Sequence, residues 1–443
     1  MTRRRPRRTP ASDPQPALKP TEAKTTTLAN GLRVVSVDSQ GNNASLGFYL
    51  ASGSRADVVP GTAHVLQAMA FRATSSRSTY KLRRDVDNFG GVAAATASRE
   101  GMSYAVEGLR DELPLAADTL AEAVMQPRLA AWEVSEVLAG DLESGTPAGL
   151  GATADEDLIH AAAYGLASPL GHAFAADPAA YGALDADALR AFLSSQFVSG
   201  NAVVVANNVP HEPLVDMMEA TFLGFPSGDA AKADSPYVGG SNLVRAAGPT
   251  TVMIGLKGAA AGSKAARAAQ VLAAIIGHGP VSGKNVGMLG CRAVSALARG
   301  DAAAFSALSA FNFAHSDSGL FGIKATAADG KAVGAAVSLA AALMKDIASG
   351  AVEDRELSRA VAACKMAYAA RAETRAGRRD AIAQSVLASG KTGSVADVLA
   401  EFDAVTAADV AAVAKAGLAA DPSIAVRGSI EHAPRYDHFA GSF

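Results

Sequence analysis

The sequence predicts an α+β protein built from two homologous domains. Three observations carry this. The chain has 443 residues, too many for one ordinary core and suited to two to four domains. Each half mixes short hairpin-type strands with long helices. And a strand, a small-residue loop and a helix in the first half recur in the second, displaced by 206 residues.

Taken in order, residues 1–24 lack a core pattern and form a basic extension. Arg3, Arg4, Arg5, Arg7 and Arg8 crowd its start, and Asp13 is the first acid. Two readings fit: an organellar presequence, which is Arg-rich and acid-poor, or a disordered basic arm with no address function. Pro6, Pro10, Pro14 and Pro16 would interrupt a presequence helix. Order begins near Thr25. In Thr25–Val37 the Asn30-Gly31 pair separates two β-type runs, a hairpin signal. Ser45–Leu50 is a further strand, and Gly61-Thr62 opens a helix through about Phe71. Ser103–Gly108 reads as another strand, ahead of a helix to about Met125.

The 206-residue shift lays Ser45–Leu50 on Thr251–Leu256 without a gap. It also lays Ala63–Ala68 on Ala269–Ala274, with four of six positions identical. Strand Gly319–Lys324 and the helix ending at Met344 repeat the pattern of Ser103–Met125. Residues 227–241, rich in Gly, Ser, Pro and Asp, form the expected linker. The domains then span residues 25–226 and 242–443.

Composition narrows the function. The net charge of −3 gives no global pull towards nucleic acid. The most apolar helical stretch, Ala332–Met344, is broken by Ser338 and falls short of the roughly 20 residues a membrane span needs. A membrane association would therefore be peripheral. Cys291 and Cys364 have no CxxC spacing, which argues for a reducing compartment and against a zinc ribbon.

The motif that bears on chemistry is His64-Val65-Leu66-Gln67-Ala68. Inverted zinc peptidases carry H-x-x-E-H on a helix, where two histidines four apart share one face and hold zinc. The glutamate takes a proton from zinc-bound water. Here His64 remains, Gln67 is an amide that accepts no proton at neutral pH, and Ala68 has no ligand atom. The motif is degenerate, and neither a catalytic nor a metal site is expected from it; no cofactor is expected either. Other constellations are weaker. His315 beside Ser316-Asp317-Ser318 resembles a hydrolase set by composition alone. Ser282-Gly283-Lys284 is a fragment of a phosphate loop, in a glycine-dense stretch better read as a surface loop. His160, on an apparent helix, reads as a packed or capping residue.

Gly61–Phe71 resembles the G-x-A-H-x-L-E-H-x-x-F segment of the pitrilysin-like family, which includes the mitochondrial processing peptidase and the core proteins of the cytochrome bc1 complex. Asn88–Gly91 with Ala95–Glu100, Leu158–Tyr164 with Pro169–Gly171, and Asn201–Ala206 are similar to further family segments. The resemblance covers residues 25–443. It implies two half-shell domains with mixed, antiparallel-rich sheets packed against helices. It also implies a later carboxylate as third zinc ligand, for which Asp141 and Glu143 are the nearby acids. Two non-catalytic branches remain open. Ser309–Gly322, Trp132-Glu133-Val134 and Ala425–Tyr436 look like the bc1 core subunits. That branch implies a core protein 1 or processing-peptidase β homologue as partner, with cytochrome b, cytochrome c1 and the Rieske subunit nearby. The place would be peripheral, on the matrix side of the inner mitochondrial membrane. The other branch is the peptidase's α-subunit, which has a long glycine-rich loop. Gly277–Gly287 is shorter and is interrupted by His278, Pro280 and Val281.

Overall fold

The structure, a computed structural model, describes residues 22–144, 153–175, 178–280, 291–293, 295 and 305–443. The arginine-rich start and Ser282-Gly283-Lys284 lie outside the described residues, as do the side chains of Asp141 and Glu143.

The first half builds a sheet from β1 (Lys24–Thr27), β2 (Arg33–Val37), β3 (Asn43–Leu50), β4 (Val92–Ala97), β5 (Met102–Leu109) and β6 (Ala202–Asn207). Its order is β1-β2-β6-β3-β5-β4. The second half uses β7 (Gly240–Arg245), β8 (Thr250–Gly258), β9 (His278–Pro280), β10 (Phe305–Ala314), β11 (Gly319–Ala327) and β12 (Ser423–Gly428). Its order is β7-β12-β8-β11-β10-β9. Without β1 and β9 the two sheets share one plan. In each, a parallel pair (β2 with β6, β7 with β12) sits at one side of an otherwise antiparallel sheet. The duplication in sequence is thus a duplication of topology. The α+β class and the hairpin at Asn30-Gly31 are both present, with Gly31 at φ +87°, where glycine is favoured.

Helices of the first half are α1 (Thr62–Met69), α2 (Thr79–Asn88), α3 (Leu113–Met125), α4 (Ala131–Ser144), α5 (Thr153–Tyr164), α6 (Ala186–Gln196) and α7 (His211–Thr221). Those of the second are α8 (Lys264–Ile276), α9 (Val333–Ala348), α10 (Asp354–Glu373), α11 (Arg375–Ser389), α12 (Val395–Asp403), α13 (Ala407–Leu418) and α14 (Tyr436–Ala440). The repeated segments fall on β3 and β8, and on α1 and α8. Ser263 caps α8 by accepting the Ala266 N–H. α1 stops two residues short of the expected Phe71, because Ala70 leaves the helical region and Phe71 takes φ +55°.

Side chains alternate across each strand, so a strand buried throughout needs cover on both faces. β6 is such a strand. Ala202, Val204 and Ala206 join the first half's own core. Val203 and Val205, with Val35, Val37 and Tyr49, pack instead against Ile382, Ala383 and Val386 of α11, from the second half. The second sheet mirrors this. Val252, Ile254 and Leu256 face their own core. Met253, Leu320 and Ala425 meet Ile159 and Ala163 of α5, from the first half. Each half therefore lends one helix to the other's sheet. Burying a large aliphatic side chain contributes roughly 1.5–3 kcal/mol, so these two small clusters bind the halves firmly. The connection from Phe222 to Gly239 is pinned between them: Val238 and Gly239 both donate to the Ala163 carbonyl.

Candidate functional site

Helix α1 carries the degenerate motif and is held at its start by a buried carboxylate. Asp57 Oδ2 accepts the Gly61 N–H at 3.0 Å and Oδ1 the Ala63 N–H at 3.1 Å. Gly61 itself sits at φ +93°. Thr62, Ala63, His64, Val65 and Leu66 are all buried. The His64 ring meets the Phe174 ring edge-on at 5.9 Å.

Gln67 has acquired a structural task. Its Oε1 accepts the Ala97 N–H at 3.1 Å, tying α1 to the end of edge strand β4. A glutamate in the family's motif would use that oxygen on water. Ala68 packs against the core as a partly buried methyl. A zinc ion does not fit these residues: the second ligand position holds a methyl group, and the would-be base is an amide engaged with backbone. At most two of the three protein ligands could remain. Among the described residues no cluster of three or more His, Cys, Asp or Glu side chains is arranged to hold a metal.

The other residues singled out in the sequence converge on the junction between the halves. Ser98, Arg99 and Glu100 follow β4, and the Ser98 and Arg99 carbonyls accept from the backbone N–H groups of Ser54 and Arg55. Arg55 forks onto Asp317 of the second half, at 2.9 and 2.5 Å, and also reaches Glu100 at 2.5 Å. Glu100 accepts the Ser316 N–H at 2.8 Å and its hydroxyl at 2.7 Å. Arg99 pairs with Asp157 of α5 and donates to the His172 carbonyl at 2.6 Å. Further along α5, Asp155 holds Arg427 at 2.5 Å and Lys324 at 2.8 Å, both from the second half.

His315 thus serves no serine nucleophile. Its Nε2 lies 3.1 Å from Nε2 of His160, and its Nδ1 lies 3.7 Å from Glu100. The tautomers follow from the partners. His160 Nδ1 is 2.6 Å from the Glu156 carbonyl, which can only accept, so Nδ1 donates and Nε2 accepts. His315 Nε2 must then carry a proton. Burial, followed by the Arg99 and His315 charges, pushes His160 well below its ordinary value, which keeps it neutral. Tyr164, one turn on, donates to Ser318 at 3.2 Å. This seam joins His160 to His315, 155 positions apart, a pairing that no sequence spacing signals.

Burial pushes the Glu100 carboxyl up, but the nearby His315 and the hydrogen bonds from Ser316 and Arg55 outweigh it and hold it at about 2, against 4.5 in the free state. Its contribution to stability is therefore complete above pH 4.5 and is lost as pH falls from there towards 2. After solvent screening this amounts to about 2 kcal/mol. Chemical unfolding followed between pH 5 and 2.5 should show this loss in the wild type. Glu100→Gln should flatten that part of the profile; an unchanged slope would remove Glu100 from the account.

Residues 33–171 match the family described as insulinase (peptidase family M16), and residues 183–364 match the peptidase M16 inactive domain. The chain is similar to the rat protein named cytochrome b-c1 complex subunit 2, mitochondrial. The two are 31% identical over 95% of this chain and 93% of the relative. It is also similar to the Arabidopsis thaliana protein named probable mitochondrial-processing peptidase subunit alpha-1. There the identity is 30%, over 96% of this chain and 86% of the relative. The Neurospora crassa cytochrome b-c1 complex subunit 2 is 28% identical over 92% of this chain and 89% of the relative.

Proposed function

The chain belongs to peptidase family M16, and we propose that it is a member without peptidase activity, serving as core protein 2 of a mitochondrial cytochrome bc1 complex (ubiquinol–cytochrome c reductase). One observation carries the loss of catalysis: Ala68 stands where the second zinc ligand belongs, and Gln67 is committed to the Ala97 backbone. On this reading the chain has no catalytic residue and holds no metal or cofactor. Its work is to brace an assembly through a rigid two-domain body. A core protein 1 or processing-peptidase β homologue is its partner, and cytochrome b, cytochrome c1 and the Rieske subunit share the complex. The place is peripheral, on the matrix side of the inner mitochondrial membrane, with residues 1–24 as presequence. Support comes from the names of the rat and Neurospora relatives, and from the lack of any helix among the described residues long and apolar enough to cross a membrane.

The second reading is the non-catalytic α-subunit of a mitochondrial processing peptidase, binding presequences for an active β-subunit. The similarity to the Arabidopsis relative favours it. The interrupted Gly277–Gly287 stretch weighs for the first reading. Loss of the zinc site is tested by equilibrium dialysis of the full chain against Zn²⁺. The expected result is no stoichiometric zinc that depends on His64. One zinc per chain, lost in His64→Ala, would contradict the proposal.

A further inference from the structure

Helices α2 and α4 begin side by side on the first half. Thr79 at the start of α2 donates to Glu133 at the start of α4, at 3.1 Å. A two-strand bridge between Thr74 and Pro127 brings the preceding segments together. The residues next to that bond are two aromatic side chains turned to solvent: Tyr80 is 76% exposed and Trp132 65%. Leu82 and Val86 of α2 face the core, as do Val134, Val137 and Leu138 of α4. Helical spacing therefore sends Tyr80, Arg83 and Arg84 outward together, and Trp132 outward beside them.

The charge around these rings is one-sided. Lys81, Arg83, Arg84 and Arg128 are all exposed, and none makes an ion pair among the described residues. Three of the four acids described on the two helices are engaged. Asp85 pairs with Arg77 at 3.0 Å, Glu136 lies 3.8 Å from Arg72, and Glu133 is buried against Thr79. Asp87 alone is an exposed acid within α2 beside the cations. This concentration of free cations stands out on a chain of net charge −3.

We propose that this surface docks on an anionic phospholipid layer, its cations on headgroup phosphates and its two rings at headgroup depth. Two features select that occupant. Rings with a polar tip, flanked by lysine and arginine, are what the membrane–water boundary accommodates. A protein partner's anchor needs aliphatic neighbours that exclude water around it. Among the described residues the large aliphatic side chains of both helices turn inward, and Tyr80 and Trp132 are their large apolar side chains left outside. The inference stands apart from the choice between the two complexes.

Vesicle flotation tests it with the full-length chain, in a background where Arg3, Arg4, Arg5, Arg7 and Arg8 are replaced by glutamine to silence the basic extension. Binding is expected to vesicles containing phosphatidylserine or cardiolipin and not to pure phosphatidylcholine. With about 1 kcal/mol per surface cation, Lys81→Gln/Arg83→Gln/Arg84→Gln should weaken it on the order of a hundredfold. Trp132→Ala should weaken it further in high salt, where the charge contribution is screened. Equal binding to neutral vesicles, or an unaffected triple variant, overturns the proposal. So does capture of polyglutamate in place of vesicles, which would make the patch a site for an acidic protein. Matching thermal unfolding of the variants shows that all of them fold.

Discussion

Arg379→Ala should cost the folded protein about 3–4 kcal/mol, the largest loss expected from any single polar side chain here. Arg379 is 5% exposed, on the helix that the second half lends to the first sheet. Its Nε donates to the Tyr49 hydroxyl at 2.7 Å, and its Nη1 donates to Ser45 and, at 3.1 Å, to Glu107. The Tyr49 hydroxyl in turn donates a hydrogen bond to Asp380. Removing the guanidinium leaves Glu107 with only the Ser45 hydroxyl at 3.2 Å and Arg375 at 3.7 Å, and leaves Tyr49 half satisfied. Arg379→Lys keeps the charge but not the planar fork, and should recover only part of the loss. Urea unfolding measures the cost. Hydrogen exchange should place it, with protection lost in α11, β2 and β6 first. A loss spread evenly over both halves would show that Arg379 does not anchor α11.

Asp155→Ala is the counterpart on the other exchanged helix, with an expected cost of about 2–3 kcal/mol. Asp155 is 7% exposed near the start of α5, between Arg427 of β12 and Lys324 of β11. Burial pushes its carboxyl up, yet the hydrogen bonds and charges of Arg427 and Lys324 win and lower it. Without it, two like charges face each other across a helix start whose own dipole is positive. Partial exposure of both cations keeps the cost below that of Arg379. Exchange should rise in α5, β7 and β12, while α11 stays protected. Asp155→Asn keeps a hydrogen-bond acceptor and should lose about half as much. Equal stability of wild type and Asp155→Ala would sink the idea that α5 is fastened by this triad.

Much of the fold was legible because local chemistry and pattern agreed. Asn30-Gly31 demanded a hairpin, and the ungapped 206-residue shift matched strands and helices that are in fact topological equivalents. The exchange of α5 and α11 is not legible in the sequence, although one signal points to it. Ala202-Val203-Val204-Val205-Ala206 is apolar at every position, which marks a strand covered on both faces. Nothing local says which helix provides the second cover, since that depends on contacts across more than 160 positions, as between Asn207 and Arg375.

At the candidate site the missing donor at Ala68 was plain from residue type. The new role of Gln67 was not, because its partner is a backbone N–H 30 positions away. His315-Ser316-Asp317-Ser318 shows the limit of composition. The same side chains that suggest a hydrolase in sequence are spent on Arg55, Glu100, His160 and Tyr164 across the seam.

The most direct test of the central claim is to isolate the chain with everything bound to it from detergent-solubilised membranes of the cells that make it, and to record haem spectra and subunit identities together. The account predicts b- and c-type haem in fixed ratio to the chain, with a Rieske protein and a core protein 1 homologue. A haem-free, soluble pair of chains that cleaves presequences would contradict it and establish the processing-peptidase reading instead.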